Sequence, residues 1–93
     1  MLYVWHISRD RYDLEKYSEA VVIASDEETA RRIHPRGVIF ITEEFLNNED
    51  RNYRSSHLLD DWTSNISGLK VRRIGVADSD QEDREVICSS FHA

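Results

Sequence analysis

Apolar residues along this chain are concentrated in short runs that alternate with longer polar segments. Four runs are rich in the β-branched and aromatic residues that favour strands, and they span residues 2–7, 20–24, 69–77 and 86–91. A shorter β-prone run lies at 38–41, and the polar residues 8–18 are predicted to form a loop. The first run is apolar on both faces, which indicates a central strand. The last two runs flank an acidic segment, and we expect them to pair as a hairpin.

The second run is followed by the signals of a short helix. Ser25 and Glu28 have the spacing of a capping box, in which each side chain accepts from the backbone N–H of the other residue. Acidic residues lie near the expected start and basic residues near the expected end, as the helix dipole favours. Pro35 cannot continue the helix because it has no N–H. The pattern predicts a helix of about nine residues, held in place by the packing of Ala30 and Ile33.

Residues 42–67 show no sustained hydrophobic period, and we interpret them as an irregular or partly helical insert. An insert of this length is more often functional than decorative. The prediction for the whole chain is a single α+β domain over residues 1–93. It consists of a small, mostly antiparallel sheet of four to five strands with one main helix packed on one face, while the insert covers the other face.

Charge and composition narrow the function. The chain has 93 residues and a net charge of −6, whereas proteins that bind DNA or RNA usually carry a basic patch. We therefore expect no direct binding of nucleic acid. The single Cys cannot form an internal disulfide, and no run approaches the roughly 20 apolar residues of a membrane span. These features predict a soluble intracellular protein with no membrane association.

The sequence offers weak candidates for a metal site. Its four histidines are widely spaced, at His6, His34, His57 and His92. His57 with Asp60 or Asp61 has helical spacing that suits one metal ion, but a solvated polar turn is the simpler interpretation. The segment that begins at Asp78 resembles a calcium loop, yet its sixth residue is Asp83 where an EF-hand needs Gly. We expect neither a metal nor a cofactor.

Cys88 is the candidate nucleophile. A cysteine needs a base beside it to form the reactive thiolate, and His6 or His92 would have to supply that base across the sheet. A Cys within a strand usually packs as a small apolar residue. We therefore expect no enzymatic activity, and a small hydrolase or metal enzyme that uses Cys88 or His57 is a minor alternative.

Three parts of the chain carry a family pattern: Tyr17–Pro35, Ile74–Ala77 and Cys88–Ala93. They resemble a family of small phage and prophage proteins with a Tyr-Asp-x-Ala-Val-Val strand, an Ala-Arg-x-Ile-His-Pro helix end and a Cys-x-Ser-Phe-x-Ala terminus. This chain departs from the pattern with Ser18 in place of Asp, with His92 in place of Asn and without a terminal Gly. The resemblance implies a mobile-element origin and action in the host cytoplasm, and it brings no activity or functional residues.

The leading hypothesis is a non-enzymatic module that binds a host protein, with inhibition of a host defence complex as one specific form. A partner with a basic or nucleic-acid-binding surface would suit the acidic residues, which would then imitate phosphates. Aromatic anchors often dominate interface energy, although core packing is the simpler role for Trp62. The candidate partner-binding residues are Glu43, Glu44, Glu49, Asp50, Tyr53, Trp62, Asp78, Asp80, Glu82 and Asp83. The alternative is a homodimeric or larger homo-oligomeric accessory protein that pairs through exposed strand edges.

Overall fold

The computed structural model describes residues 1–9, 16–37, 40–43, 61–63 and 65–92. Its described elements are strands β1 (Tyr3–Ser8), β2 (Lys16–Ala24), β3 (Lys70–Val76) and β4 (Val86–His92), together with helix α1 (Glu27–Arg31) and a 3-10 turn at Ile66–Gly68. The four strands form one antiparallel sheet. The predicted class, a small antiparallel sheet with a helix, is therefore confirmed in outline, although the helix is short and most of the regular structure is strand.

The strand order is β3-β1-β2-β4, so the predicted hairpin between the last two strands is wrong. β1 and β2 occupy the centre, as predicted for β1, and β3 and β4 form opposite edges. Residues 77–85, which we call the connector, join the two edges across the end of the sheet. The edges are separated by three strand spacings, roughly 14 Å, and nine residues span this distance easily. Strands that are consecutive in sequence are forced to pair only when the connection between them is short, and this long polar connector leaves β3 and β4 free to lie apart.

The core lies on one face of the sheet. Trp5 and Ile7 of β1 stand opposite Val22 and Ala20 of β2 in the register, and all four are buried. The Trp5 indole N–H donates to the carbonyl of Ala24 over 2.9 Å, which satisfies its polar atom within the core. This alternation of buried and less buried positions is what the period of a strand produces when one face is covered. The remaining buried members of the cluster are Ala24, Ala30, Ile33, Ile41, Trp62, Ile66 and Leu69.

β2 is longer than its apolar run. It begins at Lys16, so residues 16–18 of the predicted loop belong to the strand. The pairing of β2 with β4 shifts register between Tyr17 and Glu19. This bulge carries Tyr17 to the core side, where its ring contacts His34 edge to face at a centroid distance of 6.1 Å. An extra residue in one strand is the usual means of redirecting a side chain in this way.

Helix α1 begins one residue later than the capping box predicts. Asp26 is the N-cap, and its carboxylate accepts the backbone N–H of Thr29 over 2.7 Å. The hydroxyl of Ser25 instead donates to Asp26. Glu28 therefore lies in the first turn and cannot reach back to the cap, and it forms an i,i+4 ion pair with Arg32 at 2.9 Å. Ser25 as the cap is thus a wrong prediction, since Asp26 offers an equally good cap one position further on.

The helix also ends early, after five residues. Ile33 leaves the helical path and forms an isolated bridge with Phe40, and the backbone N–H of Ile41 donates to the carbonyl of Arg32. The predicted packing residues Ala30 and Ile33 are both buried in the core. Of the predicted strand at 38–41, residues 38 and 39 lie outside the described part of the chain. The bridge between Ile33 and Phe40 takes the place of the last predicted turn of the helix.

Candidate functional site

The connector holds the densest group of predicted binding residues. Asp78, Asp80, Glu82 and Asp83 all lie within it and are exposed. Glu85 adds a fifth exposed carboxylate, and Arg84 supplies the only basic side chain within these nine residues. None of the five carboxylates forms a salt bridge with another described residue. The connector is therefore a negatively charged surface, and no ion pair with the described residues neutralises its carboxylates.

Backbone hydrogen bonds fix both ends of the connector to the central strands. The N–H of Ala77 donates to the carbonyl of Leu2 over 3.0 Å. At the other end, Arg84 donates to the carbonyl of Ile23, and Ile23 donates to the carbonyl of Glu85, each over 2.8 Å. The acidic residues are consequently carried on an anchored segment, which lowers the conformational entropy that a partner would have to remove on binding.

Local turns shape the middle of the connector. The N–H of Gln81 donates to the carbonyl of Asp78 over 3.1 Å, and the Gln81 side-chain oxygen accepts the N–H of Asp78 over 2.9 Å. Arg84 has a left-handed backbone with φ of +66°, which is uncommon for a residue other than Gly. Its guanidinium lies 3.8 Å from the centroid of the Phe40 ring, a cation–π contact. That contact directs the only basic group of the connector toward Phe40.

Apolar residues adjoin the acidic surface. Met1 is 86% exposed, and Val76, the last residue of β3, is 63% exposed. Val76 directly precedes the connector and stands opposite Tyr3 in the register. Exposed apolar residues beside charged ones are typical of the anchor and rim of a protein interface. The sequence predicts a strand at 69–77 but carries no signal that Val76 and Met1 stay exposed beside the acidic segment, so neither residue was among the predicted binding residues.

Of the other predicted binding residues, the structure describes Glu43 and Trp62. Glu43 is exposed and forms an ion pair with Arg32, which also donates to the carbonyl of Ile41. The hydrogen bond from Arg32 to Glu43 raises the pKa of the guanidinium further above its ordinary value. Glu43 thus has a local structural partner. Four predicted residues lie outside the described part of the chain, namely Glu44, Glu49, Asp50 and Tyr53.

Trp62 lies fully inside the core, so its ring does not present a surface to a partner in this fold. Trp62 therefore packs in the core, which is the simpler of the two interpretations of this residue. The neighbouring Asp61 is buried as well. Trp62 packs in the same cluster as the helix residues Ala30 and Ile33, so the described end of the 42–67 segment covers the same face of the sheet as the helix, whereas the sequence predicted that it covers the other face. The carbonyl of Asp61 accepts the N–H of Tyr17 over 2.8 Å.

A buried network joins the helix end to this returning segment. His34 is fully buried, and its Nε2 lies 3.1 Å from Oδ1 of Asp61. The other carboxylate oxygen accepts from Nε of Arg36 over 2.9 Å. The sequence pairs Asp61 with His57 as candidate metal ligands, and residues 57 and 60 lie outside the described part of the chain. The contact between His34 and Asp61 was missed because 26 residues separate them.

Cys88 and His6 lie on the outer face of the sheet, beside a shallow cavity of about 120 Å³ that Glu19 also lines. Both residues stand opposite Val21, one on each side of β2, so a strand separates them. Nε2 of His6 lies 3.2 Å from a carboxylate oxygen of Glu19. The thiol of Cys88 is exposed. His6 is thus paired with a carboxylate rather than with the thiol, so it is not the base that a cysteine nucleophile needs. The side chain of His92, the other candidate base, lies outside the described part of the structure.

Within the described ranges, no group of three or more His, Cys, Asp and Glu side chains is arranged to hold a metal ion. No helix among the described residues is both long enough and apolar enough to cross a membrane. Comparison with protein-family models, with curated proteins and with solved structures gives no significant match to this chain.

Proposed function

We propose that this chain is a non-enzymatic protein-binding module that acts on a host protein through the connector. The observation that carries the proposal is the set of five exposed carboxylates, none in a salt bridge with a described residue, on a segment anchored to both central strands. Exposed Val76 and Met1 beside them supply apolar contact area. A partner with a basic rim around an apolar depression has the complementary chemistry.

The phage or prophage origin rests on the resemblance of residues 17–35, 74–77 and 88–93 to that family. Under this proposal the host protein belongs to the bacterial cytoplasm, and inhibition of a host defence complex is the specific form of the function. A host protein that normally binds nucleic acid is the most suitable target, because its basic surface is already built to receive a row of negative charges.

The test is affinity capture from bacterial host lysate with the tagged full-length protein, followed by identification of the bound protein and measurement of the dissociation constant. The informative variant is Asp80→Asn with Glu82→Gln and Asp83→Asn, which removes three charges while keeping side-chain size. Its matched control is Glu19→Gln with Glu27→Gln and Glu28→Gln, which removes three charges from exposed positions elsewhere.

The proposal expects one stoichiometric partner that the control variant binds as tightly as the wild type does. The connector variant is expected to bind at least tenfold more weakly, and wild-type affinity is expected to fall as salt rises. Equal binding by the two variants would remove the connector from the interface. Capture of no host protein by the wild type would refute the binding-module function itself.

A further inference from the structure

The two edges of the sheet differ in charge. β3 carries Lys70, Arg72 and Arg73 within its seven residues, and charged side chains of this kind protect an exposed edge from pairing with another strand. β4 has no Asp, Glu, Lys or Arg along its whole length from Val86 to His92. Its exposed apolar residues include Ile87, at 46%, and Phe91, at 48%. Only the β3 edge therefore has this protection.

The side chains along β4 form a self-complementary row. Val86 stands opposite Val22 and Cys88 opposite Val21, so Ile87 is the extra residue of a bulge beside Val22 on the core side. Ser89 stands opposite the buried Ala20, and Phe91 contacts Tyr17 at a centroid distance of 5.0 Å. Ile87, Ser89 and Phe91 consequently share one face of the strand.

A two-fold axis at Ser89 matches these residues in pairs. When two β4 strands run antiparallel around this axis, Ile87 of each copy lies opposite Phe91 of the other. Pairs of an aromatic with a β-branched residue are favourable across antiparallel strands. The two exposed apolar side chains of each chain thus cover those of its copy, and the register that achieves this uses the full length of β4.

Charge favours the same arrangement. The acidic connector precedes β4, whereas the other end of the strand lies beside Lys16, which stands opposite His92 in the register. Antiparallel pairing brings the connector of each copy toward the Lys16 end of the other. Parallel pairing would instead place the two connectors side by side, and like charges in contact are unfavourable.

We propose that a second copy of this chain pairs with β4, giving a two-fold symmetric dimer in which the two sheets become one eight-stranded antiparallel sheet. This dimer is independent of the proposed binding of a host protein, because the two copies pair through the β4 edge whereas the host protein would bind the exposed surface of the connector. Homodimers joined by such isologous contacts are the commonest symmetric assemblies.

The test is the solution mass of the full-length protein by sedimentation equilibrium, with folding of each variant checked by circular dichroism. The wild type is expected to sediment with twice the 10.9 kDa mass of the chain. Ile87→Lys is expected to weaken the dimer at least tenfold, because it places a charge against Phe91 of the other copy. The matched control Ile74→Lys changes an exposed isoleucine of β3, the opposite edge, and should leave the dimer intact.

A double variant tests the register. Ile87→Lys combined with Phe91→Glu places opposite charges against each other twice across the two-fold axis, so it is expected to recover dimerisation relative to Ile87→Lys alone. A monomeric wild type, or a dimer that Ile74→Lys disrupts while Ile87→Lys does not, would overturn the proposal. A folded double variant that remains as monomeric as the single variant would exclude the register centred on Ser89. A wild-type monomer whose β4 pairs only with a foreign protein would also overturn it.

Discussion

The imidazole of His34 and the carboxylate of Asp61 meet in the protein interior, with Nε2 and Oδ1 separated by 3.1 Å. Nδ1 of the same ring lies 3.1 Å from the backbone N of Arg36, which can only donate. We therefore assign the lone pair to Nδ1 and the proton to Nε2, which donates to Asp61. This histidine is a neutral structural bridge between the helix end and the segment that carries Trp62.

The first prediction concerns this bridge. Asp61→Ala leaves the buried N–H of His34 without its acceptor, so we expect a loss of about 1–3 kcal/mol in the free energy of unfolding. Arg36→Ala removes only a half-exposed guanidinium from the same carboxylate, and its cost should be about 1 kcal/mol or less. Urea unfolding of both variants measures the difference. Nitrogen chemical shifts of the His34 ring test the tautomer independently, and a proton found on Nδ1 would contradict the assignment.

The second prediction compares two isoleucines of one sheet. Strand alternation places Ile23 on the outer face, yet it is fully buried where the connector joins β2. Ile23→Ala should therefore cost about 2–5 kcal/mol in unfolding free energy, as expected for a filled interior site. Ile74→Ala on β3, where the side chain is 51% exposed, should change stability by about 0.5 kcal/mol. Similar losses for the two variants in urea unfolding would show that Ile23 is not enclosed.

The third prediction concerns the helix cap and pH. The backbone N–H of Thr29 donates to Asp26, and this hydrogen bond lowers the pKa of the carboxyl below its ordinary value of 3.8. A lowered pKa in the folded state stabilises the fold above the unfolded pKa and loses this effect as pH falls through the folded pKa. Asp26→Asn retains an accepting oxygen but does not titrate, so its stability should lack this part of the acid dependence. Melting temperatures between pH 6 and pH 2 test this, and an unchanged pH profile would rule out the capping contribution.

The fourth prediction uses the left-handed backbone of Arg84. Gly adopts this conformation freely, whereas another residue is penalised by about 1 kcal/mol. Arg84→Gly and Arg84→Ala both remove the contact with Phe40, so comparing the two variants isolates the effect of the left-handed backbone conformation on stability. We expect the glycine variant to have the higher melting temperature, although Ala is usually preferred to Gly in ordered structure. The reverse order would mean that the turn rearranges or that Arg84 is not left-handed in solution.

Local patterns along the chain were sufficient to locate most of the regular elements. The apolar run at 69–77 and the run at 86–91 correspond to β3 and β4, and Ala30 with Ile33 pack as expected. These features depend on side chains close in sequence, whose alternation and propensity decide which face is buried. The same patterns identified the acidic segment that became the connector.

Strand order, the exact cap and the buried bridge were decided by tertiary structure. Nothing local distinguishes a β3–β4 hairpin from two strands on opposite edges, because the choice depends on which free edges β1 and β2 leave open. Ser25 and Asp26 are both good cap residues one position apart, so local propensity leaves the choice open, and Asp26 is the cap in the folded chain. His34 and Asp61 meet only after the chain has returned to the sheet, and a contact between residues so far apart leaves no periodic trace in a single sequence.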